Sequence, residues 1–278
     1  MPVRARRFLR RMRGGAQAQL LEADDGFYYV TKFQENPQHR RVLINEWIGG
    51  ALLAQLGIAA PPCRIIDVPE ELIESEPEMS IQWGSRREPV KPGWHFGSRF
   101  PGHPDRLAVY DYLPDSLLDM VVNRDQFLGM LAFDKWTGNA DSRQAVFFRA
   151  QIRDYLPGAE VDARQKGFVA QMIDHGFLFD GPSWDFPDSA PQGLYHRKLV
   201  YRGVRDVDAF APWLALIDSI TETDLDHVLR ELPPEWVAGD GGELERLLEG
   251  LLRRRSRVAG LIEAAARSSV SPFADWIR

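Results

Sequence analysis

Apolar positions recur with two different periods along the chain, and the switches between them mark the elements. Residues 18–21 and 27–33 are strand-type runs on either side of Asp24-Asp25-Gly26, and Asp-Gly between apolar runs predicts a hairpin. On the second strand Tyr28, Val30 and Lys32 share one face, because strand side chains alternate. Residues 40–56 then carry Val42, Leu43, Trp47, Leu52, Leu53 and Leu56 at helical spacing. This predicts an amphipathic helix, interrupted at Gly49-Gly50 and stopped at Gly57. Pro61-Pro62 ends the unit, and 65–68 reads as a short strand. Residues 69–104 are rich in Pro, Gly, Glu and Trp and follow neither period. They predict mostly irregular surface structure, with 94–99 as a packed loop. An alternating run at 107–112, stopped by Pro114, predicts a strand, and 116–122 a short helix.

The stretch 127–148 has the sharpest pattern. Phe127, Leu128, Met130, Leu131 and Phe133 form an apolar band at helical spacing. Gly138-Asn139 breaks that helix, the polar run Asp141-Ser142-Arg143-Gln144 follows, and Val146-Phe147-Phe148 reads as a buried strand. Residues 169–176 repeat the logic. An apolar run ends at Asp174, and Gly176 is expected to let the backbone turn. Each stretch thus presents one carboxylate at a strand edge beside a turn. Further on, 210–217 and 223–232 predict helices, the second with capping oxygens in Thr221-Glu222-Thr223-Asp224. Pro233-Pro234 separates them from one long helix at 242–266.

Composition narrows the class. The chain has 278 residues, 44% hydrophobic and 27% charged, as expected for a soluble globular protein of one two-lobed domain or two small ones. The net charge of −6 gives no general reason to expect nucleic-acid binding. A single cysteine, Cys63, excludes an internal disulfide and predicts a reducing, cytoplasmic setting. No apolar run approaches the roughly 20 residues of a membrane helix. The first dozen residues hold five arginines and read as a solvated, partly disordered arm. There is no metal-type Cys/His spacing and no G-x-S-x-G, so His-based hydrolysis is not supported.

The remaining chemistry points elsewhere. Lys32 lies on an apolar strand face and needs a partner. Glu46 lies mid-helix among apolar positions. A strand lysine followed by a helix glutamate is how kinases fix the lysine that reads the α- and β-phosphates. Gly14-Gly15 precedes a strand, where backbone N–H groups can approach phosphates. Gly138-Asn139-Ala140-Asp141, then Gln144, then Asp174-His175-Gly176 follow in order. This series resembles HipA-like kinases, and more distantly the kinase branch that includes phosphoinositide kinases, over roughly residues 13–181.

The resemblance implies an α+β, two-lobed kinase-like fold. A small antiparallel sheet with one helix would occupy 1–114, and a mainly helical lobe 115–278. It implies ATP and Mg²⁺ as cofactors and a protein hydroxyl as acceptor. Gly14, Gly15, Lys32 and Glu46 would serve ATP, with Asp111, Tyr112 and Leu113 as the hinge at the adenine edge. Asp141 would be the catalytic residue that orients the acceptor hydroxyl, and Gln144 and Asp174 would hold the metal. An antitoxin-like partner would also fit the family. The chain departs from the family's D-x-x-x-x-N loop, since Asp141 and Gln144 are two residues closer and the amide is Gln. A Gln carbonyl is still a hard oxygen ligand. Asp134 and Asn139 carry the family spacing themselves, but Asp134 falls within the helical pattern. Two alternatives stay open: a nucleotide-binding pseudokinase and a small-molecule phosphotransferase.

Overall fold

The arginine-rich N-terminus is a strand, not an arm. In the computed structural model, which describes residues 1–162 and 164–277, β1 (Val3–Arg11) pairs antiparallel with β2 (Gln19–Ala23), and β2 with β3 (Tyr28–Lys32). Ala5 is buried while Arg4, Arg6 and Arg7 are exposed; Arg6 and Arg7 are adjacent, and an irregularity in the β1–β2 register between Ala5 and Arg7 lets both reach solvent. Arg7 pairs with Glu22 at 2.7 Å, and Arg4 with Glu71. Acidic residues on neighbouring elements therefore answer a charge run that looks unpartnered in sequence.

Next come α1 (Arg41–Gln55) and β4 (Cys63–Val68). The expected irregular stretch is ordered: α2 (Glu70–Ser75), the hairpin β5 (Ser80–Trp83) with β6 (Arg86–Pro89), and β7 (Gly93–Arg99). β7 pairs with both β3 and β4, and β4 pairs parallel with β1. The small antiparallel sheet is thus a closed five-strand barrel, in the order β1-β2-β3-β7-β4. Its interior holds Leu21, Tyr29, Phe33, Ile66 and Val68, capped by Leu72 of α2. The β1–β4 seam that closes it is short, Val3 with Ile66 and Arg4 with Asp67.

Beyond the barrel the chain forms β8 (Val109–Tyr110), α3 (Asp115–Leu118), α4 (Gln126–Thr137), β9 (Gln144–Gln151) and β10 (Lys166–Ile173). β8, β9 and β10 make an antiparallel three-stranded sheet, and the strand expected at 107–112 shrinks to two residues. The helices α5 (Ala211–Ser219), α6 (Glu222–Arg230), α7 (Pro234–Val237), α8 (Gly241–Arg254) and α9 (Val258–Arg267) follow. Thr221 and Asp224 form a reciprocal capping box on α6. The single helix expected at 242–266 is two, α8 and α9, separated by a tight turn at Arg255–Arg257. Arg255 spends its guanidinium on the carbonyls of Asp218 and Ile220, which holds that turn. Among the described residues no helix is long and apolar enough to cross a membrane.

α1 and α4 are buried nearly all round and share one apolar core with α5–α9. Gly49 and Gly50 do not interrupt α1. A Cβ on Gly49 would lie 2.7 Å from Leu178, and one on Gly50 2.5 Å from the Cys63 sulfur. They let the helix approach two neighbours closely. Gly138, at φ 61°, caps α4 in the left-handed region, where glycine costs least.

One buried histidine makes the barrel acid-sensitive. His95 of β7 has Nε2 2.9 Å from the Lys91 carbonyl, and its Nδ1 accepts the Gln34 N–H at 3.2 Å. The Gln34 bond needs a neutral ring, because Nδ1 must keep its lone pair to accept, whereas Nε2–H can donate to Lys91 in either form. Burial pushes His95 down to about 4, against the weaker upward pull of the Lys91 carbonyl. Its folded value lies below its ordinary value near 6.5. Stability is therefore full above about pH 6.5 and is lost as pH falls towards 4. The size is on the order of 3 kcal/mol across that window. Urea midpoints taken from pH 8 to 4.5 should fall on acidification, and less steeply in His95→Gln. Parallel curves for the two proteins would remove His95 as the cause.

Candidate active site

A cleft of about 840 Å³ lies between the barrel and the three-stranded sheet. Val30, Lys32 and Phe96 form its barrel wall, and Val146 and Ile173 its sheet wall. Gly14 and Gly15, in the loop between β1 and β2, form one rim. Gly14 has φ 121°, a conformation side chains rarely adopt. A Cβ on Gly15 would lie 2.8 Å from Gln38. Backbone angle thus favours glycine at 14, while at 15 a side chain would have only to displace the flexible end of Gln38.

Lys32 and Glu46 meet. Lys32 Nζ, on a residue only 8% exposed, donates to Glu46 Oε1 and, at 2.7 Å, to Asp174 Oδ1. Burial alone would pull the Lys32 ammonium down, but Glu46 and Asp174 outweigh it and hold it charged above its usual range. Burial pushes Glu46 up, opposed by Lys32 and reinforced by Asp174. Asp174 is held down to about 2, chiefly by Lys32. Its Oδ2 accepts from Gln144 Nε2 at 3.1 Å. Lys32, Glu46, Gln144 and Asp174, from four separate segments, thus form one network in the cleft.

The turn after β10 is built differently from its expectation. The left-handed residue is Asp174 itself, at φ 60°, not Gly176. Strain of this kind persists only where surroundings over-determine the backbone. Here Arg143 does so. Its guanidinium is fully buried and donates to the carbonyls of Ile173 (2.8 Å) and Asp174 (3.1 Å) and to His175 Nδ1 (3.1 Å). Nε and the second terminal nitrogen fork onto Asp134 at 2.9 and 2.5 Å. Gly176 is needed for space, since a Cβ there would lie 2.6 Å from Val42 and 3.4 Å from Glu46 Oε1. Asn45, beside Glu46, donates to the carbonyls of Gly176, Leu178 and Gly181 and locks α1 to this segment.

Of the residues singled out from sequence, Gly14, Gly15, Lys32, Glu46, Asp111, Gln144 and Asp174 line the cleft. Tyr112 and Leu113 do not. Leu113 is buried in the helical core, and its carbonyl accepts from Arg197, whose guanidinium also covers the Tyr112 ring. The cleft wall at this end is instead 107–109 with Asp111. Asp141 is exposed, stands outside the cleft lining, and opens the loop that leads to Gln144. Asp134 is completely buried.

Sequence reasoning missed Arg143 and Asn45. A signal for Arg143 was present: a helix aspartate inside an apolar pattern needs a buried cation. It also missed Cys63, a wall residue whose thiol burial pushes up and so keeps protonated. Among the described residues no cluster of three His, Cys, Asp or Glu side chains could cage a metal. A magnesium ion needs no such cage, because it keeps several waters and borrows phosphate oxygens. Asp174 and Gln144 both line the cleft and carry side-chain oxygens of the hard type that this mode uses.

A small closed sheet facing a helical body across such a cleft is a protein-kinase-like architecture. The hydra Fam20 structure, solved with sugar, superposes with a TM-score of 0.51 at 13% identity, covering 99% of this chain and 88% of its own. A Golgi casein kinase structure aligns at a TM-score of 0.45 and 13% identity, covering 97% of this chain and 74% of its own. No curated protein matches the sequence. The family assignment comes from residues 6–147, just over half the chain, which match the HipA-like kinase family. The chain belongs to that family. The matched region contains Gly14, Lys32, Glu46, Asp141 and Gln144 and ends before Asp174.

Proposed function

We propose that the protein transfers the γ-phosphoryl group of ATP, with Mg²⁺, to a protein Ser or Thr hydroxyl. The observation that carries this reading is the Lys32 ammonium held between Glu46 and Asp174 inside the cleft. Two lobes, 1–114 and 115–278, would close on the nucleotide. Gly14 and Gly15 would approach the phosphates through the backbone, and Lys32 would bind them. Asp174 and Gln144 would hold the metal, which when bound neutralises phosphate charge. Asp141 would orient the acceptor hydroxyl and take its proton as the acceptor oxygen bonds to the γ-phosphorus. The bond from that phosphorus to the β–γ bridging oxygen breaks, and ADP leaves. Catalysis of this kind rests on positioning and charge rather than on covalent chemistry by the protein.

One observation favours a second reading, a nucleotide-binding pseudokinase. Both Asp174 oxygens already accept hydrogen bonds from protein donors, Lys32 and Gln144. Radiolabelled ATP separates the readings. Label in a protein band supports the kinase, label in a small molecule redirects the acceptor class, and binding without transfer leaves the pseudokinase. Asp174→Asn tests the metal assignment. It should retain the fold and lose the magnesium dependence of ATP binding. Mg²⁺-ATP affinity equal to that of the parent would reduce Asp174 to a turn residue.

A further inference from the structure

Lys135 is a buried ammonium that the phosphotransfer reading leaves without a task. It lies in the last turn of α4, next to Asp134, and is 3% exposed. A buried ammonium is costly unless its donors are met. All three of its N–H donors are answered by main chain: the carbonyls of Ser189 (3.1 Å), Ala190 (2.8 Å) and Gln192 (2.8 Å).

The segment it grips contains no helix or strand from 184 to 197. Side chains from the helical body hold it instead. At its start Asp188 meets Arg254 at 2.7 Å and also Arg257. At its end it reaches the loop of Asp141. The Gly193 N–H donates to the Asp141 carbonyl, and the Arg143 N–H donates to the Leu194 carbonyl, each at 3.2 Å. The packing there is tight: a Cβ on Gly193 would come 2.1 Å from the Asp134 Cβ. Lys135 thus clamps an otherwise irregular segment at 189–192, immediately before Gly193 pins the main chain of Asp141.

We propose that Lys135 is a positioning residue for the acceptor side of the site, its ammonium holding 189–192 as a fixed wall beside Asp141. The consequence for catalysis rests on the phosphotransfer reading above; the holding of the segment does not. The wall is set by a charge already present in the chain, so it needs no covalent modification to become ordered. It is lost when that charge is lost. Burial brings Lys135 down to about 8. Asp134 on its own helix and Asp188 on the segment oppose the shift, while Arg254 of α8 adds to it. Arg143 and Arg257 face the same two carboxylates.

Lys135→Met keeps the length of the side chain and removes its three donors. Limited proteolysis by subtilisin, with cuts mapped by mass, should nick 185–194 at least tenfold faster than in the parent. Turnover on the protein acceptor should fall at least tenfold, with KM for ATP and the Mg²⁺-ATP melting shift at parent values. Parent-like protection overturns the proposal. So does faster nicking with turnover per folded molecule unchanged, since Lys135 would then be structural only. Where Lys135→Met does not fold, the parent itself is digested from pH 7 to 9.5 beside a control substrate for protease activity. Protection of 185–194 should be lost with a midpoint near 8, and protection that stays flat overturns the proposal. A parent that transfers no phosphate sinks the phosphotransfer reading, and the nicking rates then decide alone whether Lys135 holds the wall.

Discussion

Lys32→Met should abolish the rise in melting temperature that ATP gives the parent, while leaving a folded protein. At about 100 times its dissociation constant, ATP stabilises a single-site protein by roughly 2.7 kcal/mol, and this is the effect to be lost. The fold survives because Glu46 has a way out. Breaking a buried ion pair ordinarily costs about 3–5 kcal/mol, because one charge is left uncompensated. Burial already pushes the Glu46 carboxyl up, and Asp174 pushes it further. Without the ammonium it takes a proton and becomes a neutral buried acid. Asp174, about a third exposed at its side chain, keeps its charge beside water. The measurement is a pair of melting curves for each protein, with and without Mg²⁺-ATP. A mutant that still shifts like the parent would show that the phosphates lie elsewhere and that Lys32 serves only to join β3, α1 and the Asp174 turn.

What the sequence reveals here follows from how local each cause is. The β2–β3 hairpin, α1, α4 and the capping box are legible because their signals lie within a few residues: Asp-Gly at a turn, apolar periodicity, Gly138 at a helix end. The meeting of Lys32 with Glu46 is legible from chemistry, since neither charge can be buried alone. Barrel closure is not. It depends on β1 pairing parallel with β4 at Val3 and Ile66, a contact across more than sixty residues with no local mark. β7 is hidden for a related reason, because its glycines and polar residues read as loop until two neighbours bury them. The break between α8 and α9 falls among arginines that favour helix, and only the carbonyls of Asp218 and Ile220 reveal it. In the site, backbone causes were the hardest to read. Spacing gives Asp174 and Gly176, but which of them carries the left-handed angle depends on Arg143 gripping the carbonyls before it.

The two aspartates on either side of Gly138 should respond to the same substitution in opposite ways. Asp134 and Asn139 have the family's D-x-x-x-x-N spacing, and in the structure they bond to each other: Asn139 Nδ2 donates to Asp134 Oδ1 at 3.0 Å. Asp134 is fully buried, is forked by Arg143, and has no path to an acceptor. Asn139 uses its own oxygen to accept the Asp141 N–H at 3.1 Å. The pair therefore shapes the loop from beneath. Asp141 is exposed, and its Oδ1 accepts the next residue's N–H at 2.7 Å. Its other carboxylate oxygen has no protein donor among the described residues. Asp141→Asn should keep Mg²⁺-ATP binding and stability while cutting phosphoryl transfer by on the order of 10²–10⁴-fold, the usual worth of a positioned base. Asp134→Asn leaves the Arg143 charge buried without its counter-ion, and should lose on the order of 3–5 kcal/mol of stability. Its transfer rate per folded molecule should stay near that of the parent. Denaturant midpoints and single-turnover rates on both variants decide the register. A stable but inactive Asp134→Asn, together with an active Asp141→Asn, would move the catalytic carboxylate to Asp134 and require α4 to open in the working enzyme.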